Sequence, residues 1–160
     1  MNRTIKIDTI KFKHALLNLL VLTICGLGFL ASAQAQSMVS VKGETVNLRA
    51  APRTNAEITW QLKKGYPLKV IKRQGDWLQV RDFENDSGWI ARSLTSRTPH
   101  HVVKAKIVNI RSGPGDQHRV VAKLTYGEVV RTLEVRNNWV RIEQPNGPRG
   151  WVSKKLLWGW

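Results

Sequence analysis

The side chains able to do covalent chemistry are few in this sequence, and their spacing does not assemble a catalytic set. Cys25 is the single cysteine and lies in an apolar run near the start of the chain. A thiol nucleophile needs a nearby base and an electropositive setting, and nothing of that kind surrounds it. His100 and His101 are neighbours. On an extended segment adjacent side chains point to opposite sides, so the pair makes a poor metal clamp and reads as part of a solvated linker. Asp82, Glu84 and Asp86 bracket a turn. Paired carboxylates can do acid–base work, but this cluster reads as a solvated hairpin tip. No H-E-x-x-H or G-x-S-x-G element occurs. The sequence therefore predicts a protein that is not an enzyme and takes no metal or cofactor.

Binding chemistry is better represented. Lys and Arg number 26 against 11 Asp and Glu, a net charge of +15, and an excess of this size attracts polyanions. Trp60 is the most distinctive residue. It lies between Arg53 and the pair Lys63-Lys64, and an aromatic face beside cations suits stacking on a sugar or a peptide. Packing against a neighbouring domain is the other reading, and Trp158 and Trp160 raise the same choice. Two Asn/Arg pairs, Asn47 with Arg49 and Asn109 with Arg111, occupy strand-like positions. Asn can bond the backbone of a following loop, and Arg either braces that loop or faces a ligand. The candidate ligand-binding set is thus Arg53, Trp60, Lys63, Asn47, Arg49, Asn109 and Arg111.

These residues sit in a chain with a distinct beginning. Arg3, Lys6, Lys11 and Lys13 precede an almost wholly apolar run from Ala15 to Leu30, and Ala33-Gln34-Ala35 follows with small residues at the outer positions. Basic start, apolar run and small-residue site form the pattern of a secretory signal peptide. The run is about 16 residues, short of the roughly 20 needed to cross a membrane. Cleavage after Ala35 is expected, with an uncleaved inner-membrane anchor as the alternative. Ile24 before Cys25 argues against lipidation. Cleavage would remove Arg3, Lys6, Lys11, Lys13 and Asp8, leaving +12 and no cysteine. The expected product is exported to the periplasm or beyond, has no stable membrane span, and is held together by core packing without disulfides.

The elements that position the candidates come in two copies. Displacing the chain by 62 residues aligns Val46-Asn47 with Val108-Asn109, Arg49 with Arg111, Pro52 with Pro114, Gly65 with Gly127, Trp77 with Trp139 and Gly88-Trp89 with Gly150-Trp151, without a gap. Fixed-period self-similarity means one structural unit used twice. Two copies are too few for a solenoid, so two small domains are expected: 36–95 and 102–160, with 96–101 as a short linker after a signal peptide at 1–35. Each copy alternates apolar and polar residues, as in Trp77-Leu78-Gln79-Val80-Arg81, between Gly, Asp, Asn and Pro punctuation. Five or six short strands without a long helix predict an all-β small barrel. The four repeated tryptophans are expected to fill its core, and Gly88 and Gly150 to turn the chain into the last strand.

The repeated phrases "VNLRAAP" and "VNIRSGPG", the later Trp, the Gly-Trp pair and the terminal Leu resemble the signature of bacterial SH3 domains, over nearly all of Val39 to Trp158. The detail is similar to secreted tandem members of that family. The resemblance implies two tandem SH3-like β-barrels and a cell-envelope setting. It implies recognition of peptidoglycan or its peptide stems, and the excess of positive charge adds other anionic envelope polymers as candidate ligands. The alternative is an adaptor for an envelope protein or enzyme. Nucleic acid is not expected as a partner, and the oligomeric state is left open. Ala51 departs from its counterpart Gly113, which predicts a less tight loop in the first copy.

Overall fold

Alternating β-branched and aliphatic residues between short polar turns build the same unit twice. The computed structural model describes residues 37–160; the expected leader at 1–35 lies outside the described residues. The first copy contains β1 (Met38–Val41), β2 (Thr45–Arg49), β3 (Ile58–Lys63), β4 (Pro67–Gln74), β5 (Trp77–Arg81), β6 (Ser87–Ala91) and β7 (Thr95–Ser96). The second contains β8 (His100–Val103), β9 (Ile107–Arg111), β10 (Val120–Thr125), β11 (Val129–Arg136), β12 (Trp139–Glu143), β13 (Arg149–Ser153) and β14 (Leu157–Gly159). Both sheets are antiparallel and have the same order, β3-β2-β6-β5-β4-β1-β7 and β10-β9-β13-β12-β11-β8-β14. The all-β expectation of two equivalent units holds. Among the described residues no helix is long and apolar enough to cross a membrane.

The duplication extends to irregularities. One register shift falls opposite the Asn/Arg strand in each copy, around Thr59 and around Val121. Another falls around Ile71 and around Leu133. A bulge bends a strand and increases its twist, so matched bulges give both sheets the same curl. Gly75 and Asn137, with φ of 55° and 51°, open the equivalent two-residue hairpin turns. Strand β3 escapes a reading by alternation because Leu62 is its one buried residue.

The two cores are aliphatic. The first gathers Val39, Val41, Val46, Leu48, Leu62, Leu68, Leu78, Val80 and Ile90; the second gathers Val103, Val108, Ile110, Leu124, Val130, Val140, Ile142, Val152 and Leu157. Burial of each such side chain contributes about 1.5–3 kcal/mol. Three of the repeated tryptophans, Trp77, Trp89 and Trp139, are only half-buried, contrary to expectation, whereas Trp151 is buried beside the second cluster. Leu78 and Val80 face inward, so the pleat turns Trp77 outward. Trp89 lies outward beside Ile90 in the same way.

Gly88 and Gly150 also differ from expectation. They lie inside β6 and β13 rather than at a turn. A Cβ on Gly88 would stand 2.6 Å from Leu48 Cγ, and one on Gly150 would stand 2.7 Å from the Arg111 carbonyl oxygen. Glycine is needed because neighbouring strands approach too closely for a side chain.

Candidate functional site

Gln36–Trp160 forms one compact unit, so the two barrels present a continuous surface. They meet where β4 of the first lies against β8 and β14 of the second. The expected linker at 96–101 is shorter in the structure, because β7 runs to Ser96 and β8 starts at His100. The reading of His100-His101 as a solvated pair is overturned for His101, which is 1% exposed. Its Nδ1 lies 2.6 Å from Thr132 Oγ1 and its Nε2 lies 2.7 Å from the Trp160 carbonyl oxygen. A carbonyl only accepts, so Nε2 carries the proton and the Thr132 hydroxyl donates to Nδ1. Burial lowers the His101 pKa to about 4, which keeps the ring neutral.

The junction is polar where the repeat would be apolar. His101 replaces the equivalent of Val39, and Ser40 replaces the equivalent of Val102. Ser40 is fully buried. Its Oγ lies 2.8 Å from Ser96 Oγ and 2.9 Å from the Thr98 carbonyl oxygen. These are the two buried polar side chains among the described residues, and each fastens a segment that leaves or enters a barrel.

A second contact comes from the hairpin tip between β5 and β6. Phe83 packs between Tyr66 and Tyr126, with ring centroids 6.4 and 5.5 Å away. The Tyr126 hydroxyl donates to Glu84, and the Tyr66 hydroxyl donates to Asp82 at 3.4 Å. Burial and the neighbouring carboxylates raise the Tyr66 pKa, so it stays protonated. Asp82 also accepts the backbone N–H groups of Glu84 and Asp86. Burial raises its pKa and those bonds oppose the rise. The ligand atoms of Asp82, Glu84 and Asp86 come within 4.8 Å of one another. Glu84 holds the tip to the second barrel, while Asp82 ties it to Tyr66 of the first barrel and closes its own turn.

Between the barrels lies a cleft of about 910 Å³. Lys42, Glu44, Lys63 and Lys64 line it from the first barrel, Ser96 and Thr98 from the connection, and His100, Arg131, Glu143 and the Gln144–Gly147 hairpin from the second. Four basic side chains therefore face two carboxylates. Lys64 pairs with Glu44 at 2.7 Å, and Glu143 is shared by Arg131 and Arg149 at 3.4 and 2.6 Å. The hydrogen bond from Arg149 holds the Glu143 carboxyl below its usual range. Burial lowers the His100 pKa, and its ring sits against Gly65.

The structure divides the sequence candidates. Arg49 donates from Nη1 to the Ala56 carbonyl at 2.7 Å, and Arg111 donates to the His118 carbonyl at 2.8 Å. Both arginines brace the loop after their strand. Asn47 accepts from Gln61 Nε2 at 3.2 Å on an exposed face, and Asn109 stands opposite Lys123. Trp60 is 56% exposed and is not sealed against the second barrel. It stands opposite inward-facing Leu48, whereas Lys63 stands opposite Thr45. Alternation then puts Trp60 and Lys63 on opposite faces of β3, so Arg53, Trp60 and Lys63 do not form one contact. Lys63 joins the cleft and Arg53 is an exposed loop residue. Sequence reasoning missed Lys42, Glu44, Arg131, Glu143 and His100, because the cleft exists only once both barrels are docked.

The loop of the first copy is as well bonded as that of the second. The Arg53 N–H reaches the Ala51 carbonyl at 2.8 Å, and the Gly115 N–H reaches the Gly113 carbonyl at 3.0 Å. The Ala51/Gly113 departure has a steric cause. A Cβ on Gly113 would fall 2.6 Å from the His118 ring, while the equivalent of His118 in the first copy is Ala56.

Comparison with known proteins agrees with this architecture. The model of the bacterial SH3 domain matches residues 42–97 and again 104–159. A putative N-acetylmuramoyl-L-alanine amidase of Bacillus subtilis is 24% identical over 140 residues, covering 81% of this chain and 27% of that protein. An NlpC/P60 family protein from Bacillus cereus is 15% identical over 78% of this chain and 56% of its own, with a TM-score of 0.37. NlpC2 from Trichomonas vaginalis is 17% identical over 78% and 48%, with a TM-score of 0.34. The chain thus spans about a quarter of its curated relative and about half of these solved structures. The matched family covers both repeats, and the chain belongs to the bacterial SH3 domain family as a tandem pair.

Proposed function

We propose that this protein is a non-enzymatic, exported binding module of the cell envelope, and that the cleft between its barrels receives peptidoglycan through the peptide stems. The observation that carries this reading is the mixed charge of the cleft. Lys42, Lys63, Lys64 and Arg131 face a ligand from the same walls as Glu44 and Glu143. A uniform polyanion would meet both carboxylates. A short peptide bearing amino and carboxyl groups can satisfy both signs. A volume of about 910 Å³ is in the range of sites that enclose small ligands. The relative in Bacillus subtilis is named for the junction of N-acetylmuramoyl and L-alanine, where wall glycan meets peptide, and this supports the same polymer as the target here. The expected leader at 1–35 supports export.

Co-sedimentation of residues 36–160 with protein-free peptidoglycan sacculi across a salt series tests this. Pelleting is expected to persist at physiological salt, because a shaped cleft depends less on screened long-range attraction than a bare charge does. Absence of pelleting, or its loss at the first addition of salt, would overturn wall binding and favour an adaptor for an envelope protein.

A further inference from the structure

The two barrels share a fold but not the chemistry of their outer sheet faces. In the second barrel, Arg131, Glu143 and Arg149 stand in one cross-strand row, and Glu134, Arg141 and Trp151 in the next. Glu143 pairs with Arg131 and Arg149, and Glu134 with Arg136 and Arg141. Arg136 also lies 5.2 Å over the Trp151 ring, which is 8% exposed. On that face all four arginines are paired with two carboxylates, and its tryptophan is covered.

The same positions in the first barrel read differently. Lys72 replaces Glu134 and Arg81 replaces Glu143. Arg81 stands directly opposite Lys69, and Lys72 opposite Gln79. Among the described residues none of Lys69, Lys72 and Arg81 forms an ion pair. Gln74 stands where Arg136 covers its tryptophan, and Trp89 is half-buried rather than buried. The nearby carboxylates Asp82 and Glu84 are held by Tyr66 and Tyr126. None of the cations on this face lines the cleft.

We infer that the outer face of β4, β5 and β6 is a second site, which docks the protein on an anionic phospholipid surface. Adjacent strands are about 4.8 Å apart, so the cations are presented as a surface rather than inside a groove. Trp77 and Trp89 share that face, and amphipathic indole rings suit the headgroup level of a bilayer. Cations near an anionic leaflet are attracted by its surface potential. The cleft does not take part, so this site stands or falls independently of wall binding.

The test is partition of residues 36–160 onto vesicles of about 30 mol% phosphatidylglycerol in phosphatidylcholine, against phosphatidylcholine alone. The doubly substituted variant Lys72→Glu/Arg81→Glu installs the glutamates that the second barrel already tolerates at these positions. It should keep the wild-type melting curve and its binding to sacculi, while partition falls by at least about 20-fold, near 5-fold per cation removed. Lys63→Gln/Lys64→Gln, which alters the cleft, should leave partition within about two-fold. The proposal is overturned if the wild type ignores anionic vesicles, or if both double variants lose partition equally, which would mean general charge attraction. It is also overturned if these residues bind a soluble anionic polysaccharide and not vesicles.

Discussion

The imidazole of His101 donates from Nε2 to the carbonyl of Trp160 at 2.7 Å and accepts from Thr132 at its other nitrogen, fastening β14 across β8. The last strand also lies against β4 of the first barrel. The buried ring therefore reinforces the β14–β8 pairing of a strand that also touches the first barrel.

Protonating that ring should release the segment. Burial, with the nearby charges of Lys154 and His100, depresses the His101 pKa from 6.5 to about 4, against the bond to Trp160. The unfolded chain binds more protons between these values, so stability rises with pH across the window. It is complete above pH 6.5 and is lost as pH falls toward 4, by the order of 3 kcal/mol. Urea unfolding at pH 7 and pH 4.5 measures this. His101→Val, the residue the first copy carries at Val39, should remove this part of the pH dependence while lowering stability at pH 7.

Arg49 and Arg111 are expected to act as structural braces. Arg49→Ala and Arg111→Ala each delete a charge-assisted bond to a loop carbonyl and should cost about 1.5–3 kcal/mol. Amide exchange should quicken in the Ala50–Glu57 and Ser112–Arg119 loops respectively. A fall in wall binding with no change in loop exchange would assign these residues to the ligand instead.

The strand glycines should differ in tolerance. A Cβ at Gly150 would meet the Arg111 carbonyl oxygen at 2.7 Å, while one at Gly88 would stand 3.1 Å from the Arg49 carbonyl oxygen and meet only a side chain, Leu48 Cγ at 2.6 Å, closer in. Overpacking costs about 1–3 kcal/mol. Gly150→Ala should fall at the upper end of that range and Gly88→Ala below it, by denaturant midpoint.

Trp60 separates two placements of the site. It is exposed, but the register turns it away from Lys63 and the cleft. Trp60→Ala should leave sacculus binding within about two-fold and cost little stability, since exposed side chains away from structural features change stability by about 0.5 kcal/mol or less. A large loss of binding would move the site to the opposite face of β3.

The repeat and the alternation make both barrels legible in the letters alone, because period two and the fixed glycines are properties of the sequence. Strand β3 stays hidden there, since an edge strand with one buried residue has no alternation to show. Size alone assigns Trp77 and Trp89 to the core, and the pleat reverses that assignment: with Leu78 and Ile90 inward, their neighbours must face out. Reading His101 as part of a solvated linker misses its burial, although its alignment with Val39 carries the signal of a core position. The cleft lies beyond reach of the letters, because Lys42 and Glu143 meet only through the docking of two folded units.

The most direct measurement is chemical-shift mapping of isotope-labelled residues 36–160 titrated with a soluble muropeptide that carries its stem peptide. If the cleft is the site, saturable shifts appear at Lys42, Lys63, Lys64, His100 and the Gln144–Gly147 hairpin, with Trp60 unmoved. Saturable shifts confined to the Trp60 face, or none at any concentration reached, would contradict it.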